Sequence, residues 1–253
     1  MSQRVAVVTG GYGVLGGAIA EGLAQAGVAV AILGRRAEPA EAKAATIRKA
    51  GGDASVLIAD VRDPEQLRAA RERLLGERGR VDILVNAAGG NVAQARSDER
   101  PVFDVPPDAM DEVLRLNLHG TLAPSLVFGE IMGRQGSGCI VNISSMAARR
   151  ALSGVLGYTI AKAGVEALTA WLASDLARRY GDRVRVNAVA PGFFVTEQNR
   201  NVLLNPDGSP TARARSDDRP VFDVPPDAMD EVLRLNLHGT LTPSLVFGEI
   251  MGR

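Results

Sequence analysis

Short apolar runs rich in β-branched residues alternate along this chain with longer stretches whose apolar positions recur at helical spacing. The runs are RVAVVT at 4–9, VAVAIL at 28–33, SVLIA at 55–59, VDILVN at 81–86, CIVNIS at 139–144 and VRVNAVA at 184–190. Helical patterns cover roughly 14–26, 40–50, 64–78, 107–133 and 157–180. Strands that are apolar at every position are covered on both faces, and the intervening helices supply the cover. The expectation is an α/β fold with a doubly wound parallel sheet of six strands. Its ligand crevice should lie beyond the carboxyl ends of those strands.

The pattern is interrupted by a repeat. Residues 95–134 return at 214–253 with two changes, Glu99 to Asp218 and Ala123 to Thr242. A solenoid would stack several units at a fixed period, whereas two near-identical copies read as a duplication. The second copy is helical in pattern and carries no β-rich run. The expected organisation is therefore a dinucleotide-binding catalytic domain at 1–213, with a substrate loop at 191–213 that turns at Asn205–Pro210, and a duplicate at 214–253 that is not an independent domain.

Composition narrows the function classes. The length of 253 residues suits one domain with a substantial core. Basic and acidic residues balance at 29 each with no basic run, which argues against nucleic acid and anionic membrane as partners. No apolar stretch reaches the ~20 residues of a membrane helix, and the first residues run straight into a strand, so a cytoplasmic location is expected. Cys139 is the only cysteine, which leaves no intrachain disulfide and no cysteine metal cluster, and suits a small buried strand residue. His119 and His238 are copies of one position inside the repeat, so a metal site or a Ser/His/Asp triad has little to draw on.

Candidate chemistry gathers at the strand ends. After the first strand, Gly10, Gly13 and Gly16 let the backbone turn tightly and approach a pyrophosphate at a helix N-terminus, the phosphate cradle of a Rossmann-type fold. At the end of the second strand, where a carboxylate would bind a ribose 2′-hydroxyl, the chain has Gly34, Arg35 and Arg36. Arginine forks suit a 2′-phosphate and favour NADP(H) over NAD(H); the other reading is a solvated pair of arginines. Asp60 ends the third strand, where it can accept a hydrogen bond from an adenine amino group or cap the helix that starts near Pro64. Asn86 to Gly90, with Gly89 among them, keep the end of the fourth strand small so that a cofactor can lie against backbone.

Tyr158 and Lys162 stand at i and i+4 on one helix face, with Ser145 thirteen residues before the tyrosine at a strand end. An ammonium beside a phenol favours its ionised form, which would bring a group that titrates near ~10 toward working pH. Alone, such a pair is a common feature of an amphipathic helix surface, and it is the order of motifs along the chain that gives it weight.

With these residues the chain resembles the short-chain dehydrogenase/reductase family over roughly residues 4–200: TGGYGVLG at 9–16, IAD at 58–60, NAAG at 86–89, NIS before Ser145, YTIAK at 158–162 and PGFFVT at 191–196. It departs at Val14, which holds the family's middle glycine position, with Gly13 one step earlier. The resemblance implies hydride transfer between a nicotinamide and a ketone or secondary alcohol. It implies that Tyr158 exchanges the proton with the substrate oxygen, that Ser145 hydrogen-bonds that oxygen, and that Lys162 both lowers the Tyr158 pKa and holds the nicotinamide ribose. Asn117 matches the helix asparagine that holds a relay water, and its duplicate Asn236 should be inert. Pro191, Gly192 and Thr196 would close over the carboxamide; alternatively, Thr196 caps a helix beginning at Glu197.

Asn91 and the stretch TEQNRNVLL at 196–204 resemble the family's sugar-acid branch, the mannonate and fructuronate oxidoreductases. Gln198, Asn199 and Arg200 offer donors for hydroxyls and a fork for a carboxylate, or else form the polar first turn of a surface helix. Enzymes of that branch generally use NAD(H), which opposes the arginine argument. The family also implies a homo-oligomer, with the helix at 107–133 in a dimer interface, for which residues 226–252 would compete. A catalytically impaired cofactor-binding protein is the alternative to an active enzyme.

Overall fold

The computed structural model describes residues 3–98, 100–150, 154–192, 195 and 200–211. The chain divides into two compact units, Met1–Pro191 and Gly192–Arg253. The boundary expected at 213/214 and the second copy of the repeat lie outside the described residues.

In the first unit six parallel strands, β1 (Val5–Thr9), β2 (Ala29–Gly34), β3 (Ala54–Ile58), β4 (Ile83–Asn86), β5 (Gly138–Ile143) and β6 (Val184–Val189), form one sheet in the order β3-β2-β1-β4-β5-β6. All residues of β1, β2 and β4 are buried, as their unbroken apolar runs require. Helices α1 (Val14–Gln25), α2 (Ala37–Lys49), α3 (Pro64–Arg78), α4 (Pro107–Leu114), α5 (Gly120–Gln135) and α6 (Leu156–Tyr180) connect and cover them. The core is built from Val7, Leu33, Leu57, Leu67, Leu74, Leu84, Phe128, Met132 and Ile140 among others, with Cys139 buried in β5 as expected. Burial pushes the Cys139 thiol pKa up.

Local chemistry sets the element ends. Asp63 caps α3 by accepting from the backbone N–H groups of Glu65 and Gln66 at 2.9 and 3.1 Å, Pro64 follows at the first helical position, and Gly79 ends the helix at φ 72°. The cap is therefore Asp63, which corrects the alternative that gave this role to Asp60. The single helix expected over 107–133 is instead α4 and α5 joined by a π-helical turn, Arg115–His119. Pro124, inside α5, has no N–H to return to the preceding turn. The side chains of Asn117, Thr121 and Ser125 bond the carbonyls four residues back, Val113, Asn117 and Thr121, at 2.9, 2.8 and 2.7 Å.

Among the described residues the sheet ends at β6, whose residues are only partly covered. In the second unit a short helix, α7 (Arg200–Leu203), leads into the turn read at Asn205–Pro210. It is closed by the Leu204–Pro210 bridge and by a 2.8 Å bond from Asn205 N–H to Ser209 O.

Candidate active site

The carboxyl ends of β1 and β4 are tied together by Thr9, whose fully buried hydroxyl accepts from the N–H groups of Ala87 and Ala88, both at 3.1 Å. The next residue, Gly10, turns the chain at φ 62°, and a Cβ there would sit 2.9 Å from Ala88 Cα. At Gly16 a Cβ would overlap the carbonyl oxygen of Gly10. Gly13 is the N-cap residue of α1 in an ordinary extended conformation, where an added Cβ would meet only Gly10 O at 3.3 Å. The close approach that the sequence assigned jointly to three glycines thus rests on Gly10 and Gly16. Val14 occupies the first helical position with 62 % of its surface exposed. The first bond of α1 runs from Gly17 N–H to Gly13 O, so the N–H groups of Val14, Leu15 and Gly16 have no acceptor within the helix. Bare N–H groups, the positive end of the helix dipole and a backbone pared of side chains fit a dinucleotide pyrophosphate.

Arg35 and Arg36 are both exposed at the end of β2. Arg35 Nη1 lies 3.8 Å from Asp60 Oδ2, and the Arg36 guanidinium lies 5.1 Å from the centre of the Tyr12 ring. Asp60 is gripped more closely by Arg62, with bonds of 2.8 and 3.1 Å from its guanidinium and 2.9 Å from its backbone N–H. These bonds hold the Asp60 carboxyl below its usual range, against the opposing effect of burial. Asn86 turns its side chain into the interior, where its amide donates to Ser125 Oγ at 2.8 Å and Asn142 Oδ1 at 2.9 Å, and Asn142 in turn donates to Thr169 Oγ1 at 2.9 Å. At this position only backbone faces the strand ends.

On the other side, Ser145 follows β5 in an extended conformation. Its Oγ accepts from Ala147 N–H at 3.1 Å, and its hydroxyl acts on the Tyr158 phenol closely enough to oppose the rise in the phenol's pKa. Tyr158 and Lys162 lie one turn apart on α6. Lys162 is 4 % exposed, and its ammonium donates to Ile143 O at 2.7 Å and stands 5.4 Å from the centre of the Tyr158 ring. Burial lowers the Lys162 pKa to about 8. Burial also raises that of Tyr158, with the Ser145 hydrogen bond opposing it. The expectation that Lys162 makes the phenol acidic is therefore corrected. The ammonium approaches the ring rather than ion-pairing, and desolvation of a phenolate costs more than Ser145 returns.

Asn117, fully buried in the π turn, clasps the β4 loop: its Oδ1 accepts from Gly90 N–H at 3.0 Å and its Nδ2 donates to Gly90 O at 2.8 Å. Gly89 fills the space between this amide and the lysine, since a Cβ there would lie 2.7 Å from Asn117 Oδ1 and 3.4 Å from Lys162 Nζ. Beside Tyr158, a small apolar wall forms from Val92, Ala95, Ala109 and Val113. Asn91 is exposed, and Pro191 O accepts from Met146 N–H at 3.1 Å, holding the start of the loop after β6 against the Ser145 turn. Gly192 and Arg200, both exposed, belong to the second unit, and Thr196, Gln198 and Asn199 lie outside the described residues.

Sequence reasoning missed Thr9, Tyr12 and Arg62. Thr9 was signalled by a lone hydroxyl ending an apolar strand. Nothing local signalled the other two, which act through partners brought together by folding or by a turn.

Residues 4–207 match the family model for short chain dehydrogenases. The chain is a short-chain dehydrogenase. Relatives agree: the oxidoreductase UxuB of Bacillus subtilis is 40 % identical over 223 residues, covering 85 % of this chain and 79 % of that protein. Among solved structures, a protein from Haemophilus influenzae provisionally assigned as a D-mannonate oxidoreductase, with bound NAD, superposes with a TM-score of 0.78 at 34 % identity, covering 85 % of this chain and 79 % of that one. A gluconate 5-dehydrogenase from Burkholderia cenocepacia, in complex with NADP and tartrate, gives 0.74 at 33 % identity, covering 83 % and 78 %. This dehydrogenase therefore has an NAD(P)-dependent oxidoreductase fold, and both forms of the cofactor occur among its neighbours.

Proposed function

We propose that this short-chain dehydrogenase interconverts a ketone and a secondary alcohol on a sugar acid or polyol, with NADP(H) as the favoured cofactor and NAD(H) as the other possibility. The observation that carries the reading is the placement of Tyr158 beside buried Lys162, whose ammonium donates to Ile143 O at the carboxyl end of β5, two residues before Ser145. The NAD-bound and NADP- and tartrate-bound neighbours support the substrate class, and the polar stretch Gln198, Asn199 and Arg200 is the part of this chain assigned to it.

A bound nicotinamide supplies or accepts the hydride at the substrate carbon. The protein's own residues handle the proton. Because burial holds the Tyr158 pKa above its ordinary value, the phenol keeps its proton at neutral pH and enters the reductive direction as a general acid, giving that proton to the carbonyl oxygen. Ser145, beside the phenol, fixes the same oxygen from the side. Lys162, with a pKa of about 8, can shed and regain a proton near working pH, which suits a group that replenishes the phenol. Asn117 holds both backbone polar groups of Gly90 and so keeps Gly89 between its amide and Lys162. Asn91 would meet the substrate end, and Pro191, Gly192 and Thr196 the carboxamide end. Residual apolar surface on α5 and α6, where Leu126 and Trp171 are 55 % and 63 % exposed, supports a homo-oligomer.

The duplicated forty residues favour a second reading, a protein that binds dinucleotide without turnover. Loss of nicotinamide absorbance with fructuronate and a panel of ketones, tried with both cofactors, separates the two. Turnover in the wild type that falls by about 10³-fold or more in Tyr158→Phe supports the enzyme. Tight dinucleotide binding without turnover of any substrate supports the binding protein.

A further inference from the structure

Tyr12 sits in the phosphate-binding turn, but its ring does not face the glycines. It packs against Gly34, so that a Cβ at residue 34 would overlap the ring at Cε1 and approach Cζ at 3.0 Å. The Arg36 guanidinium lies over the same ring, 5.1 Å from its centre. Gly34 is fully buried at the end of β2, the place from which a carboxylate would reach a ribose diol. One aromatic ring therefore does two things. It fills the volume such a carboxylate would need, and it gives a guanidinium a face to rest on.

We infer that Tyr12 is the residue that sets cofactor choice in this chain, acting as a positioning residue for Arg36 and as a steric block against an acid at residue 34. The inference rests on the proposed use of a nicotinamide dinucleotide. Arg35 is steadied from the opposite direction by Asp60, so the two guanidiniums are held by separate partners, Arg35 by charge and Arg36 by the ring. Loss of the ring frees Arg36 to sample other rotamers, and a 2′-phosphate must then order it on binding. A dinucleotide without that phosphate makes no use of Arg36 and is indifferent to the change.

Equilibrium titration of the purified full chain with NADP+, NADPH, NAD+ and NADH, followed by nicotinamide fluorescence for the reduced forms and calorimetry for the oxidised ones, tests this without turnover. Tyr12→Ala is expected to weaken the NADP(H) pair by about two- to five-fold, the range of an exposed cation–aromatic contact, and to leave the NAD(H) pair unchanged. Tyr12→Phe is expected to bind all four as the wild type does, because the ring and not the hydroxyl acts. Gly34→Asp alone should weaken all four, since aspartate and ring compete for one volume. Tyr12→Ala combined with Gly34→Asp should restore NAD(H) binding and reverse the preference. Circular dichroism and the thermal transition identify any variant that fails to fold, and Tyr12→Phe and Tyr12→Ala, which only remove atoms, keep the comparison usable if Gly34→Asp does not. An unchanged NADP/NAD affinity ratio in Tyr12→Ala, or Gly34→Asp that binds NAD(H) with the ring still present, overturns the inference. A wild-type chain that binds none of the four overturns the proposed function instead.

Discussion

Burial of the Lys162 ammonium lowers its pKa from 10.5 to about 8, so between those values the unfolded chain binds a proton that the folded chain has shed. Stability therefore rises with pH across that window, and below about pH 8 the full cost, of order 3 kcal/mol, is present. Lys162→Met is expected to lose catalysis and yet to gain about 1–3 kcal/mol of stability at pH 7, part of the gain being offset by the Ile143 carbonyl left without its donor. Urea titrations at pH 7 and near pH 10 check this: the gain should shrink at the higher pH, and a pH-independent difference would contradict it. At this scale the identities of Ser145, Tyr158 and Lys162 were legible because their order along the chain is local information. The direction of the Tyr158 shift was not, because it depends on Val92, Ala95, Ala109 and Val113 folding over the ring from more than forty residues away.

The π turn between α4 and α5 is what aims Asn117 at the β4 loop. The extra residue in its wider turn rotates Asn117 away from the stripe it would share in a regular helix, and the amide closes on both polar groups of the Gly90 backbone. Because Gly89 lies between that amide and Lys162, Gly89→Ala should push one or both aside. The expected outcome is a chain that folds with a near-normal thermal transition and loses about ten- to hundredfold in kcat, the range of a misplaced catalytic geometry. Steady-state kinetics beside a melting curve would show it, and an unchanged kcat would mean that the clasp is not needed. Apolar periodicity placed every strand to within about two residues, since β-branched runs mark themselves. It did not show the π turn, because a single wide turn breaks the apolar stripe at one point only, between two segments that each keep helical spacing. The alternative that Asp60 caps α3 fails for a related reason: Asp60 and Asp63 both precede Pro64, and only their hydrogen bonds, Asp60 with Arg62 and Asp63 with the first turn, separate them.

At the scale of the molecule, the all-parallel sheet was legible from alternation alone, whereas the duplicated segment gives a pattern with no evolved counterpart to read it against. The expectation that residues 226–252 compete for the surface of the original helix belongs here, and the exposed Leu126 and Trp171 show that α5 and α6 have apolar area to cover. Deleting residues 214–253 should change the sedimentation coefficient beyond the loss of mass and move the thermal midpoint, by about 2–4 °C per kcal/mol for a chain of this size. Sedimentation velocity and calorimetry that show neither change would reject the competition.

The strand order has a consequence for the order in which the parts come into being. β1 lies inside the sheet, with β2 and β3 on one side and β4, β5 and β6 on the other. A chain leaving the ribosome can zip its first three strands together and form the glycine turn after β1 while the hydroxyl of Thr9 still waits for Ala87, 78 residues behind it. The lysine arrives later still, after β5 has delivered the carbonyl it binds. The nascent protein thus completes its glycine turn well before Tyr158 and Lys162 can reach the end of the sheet.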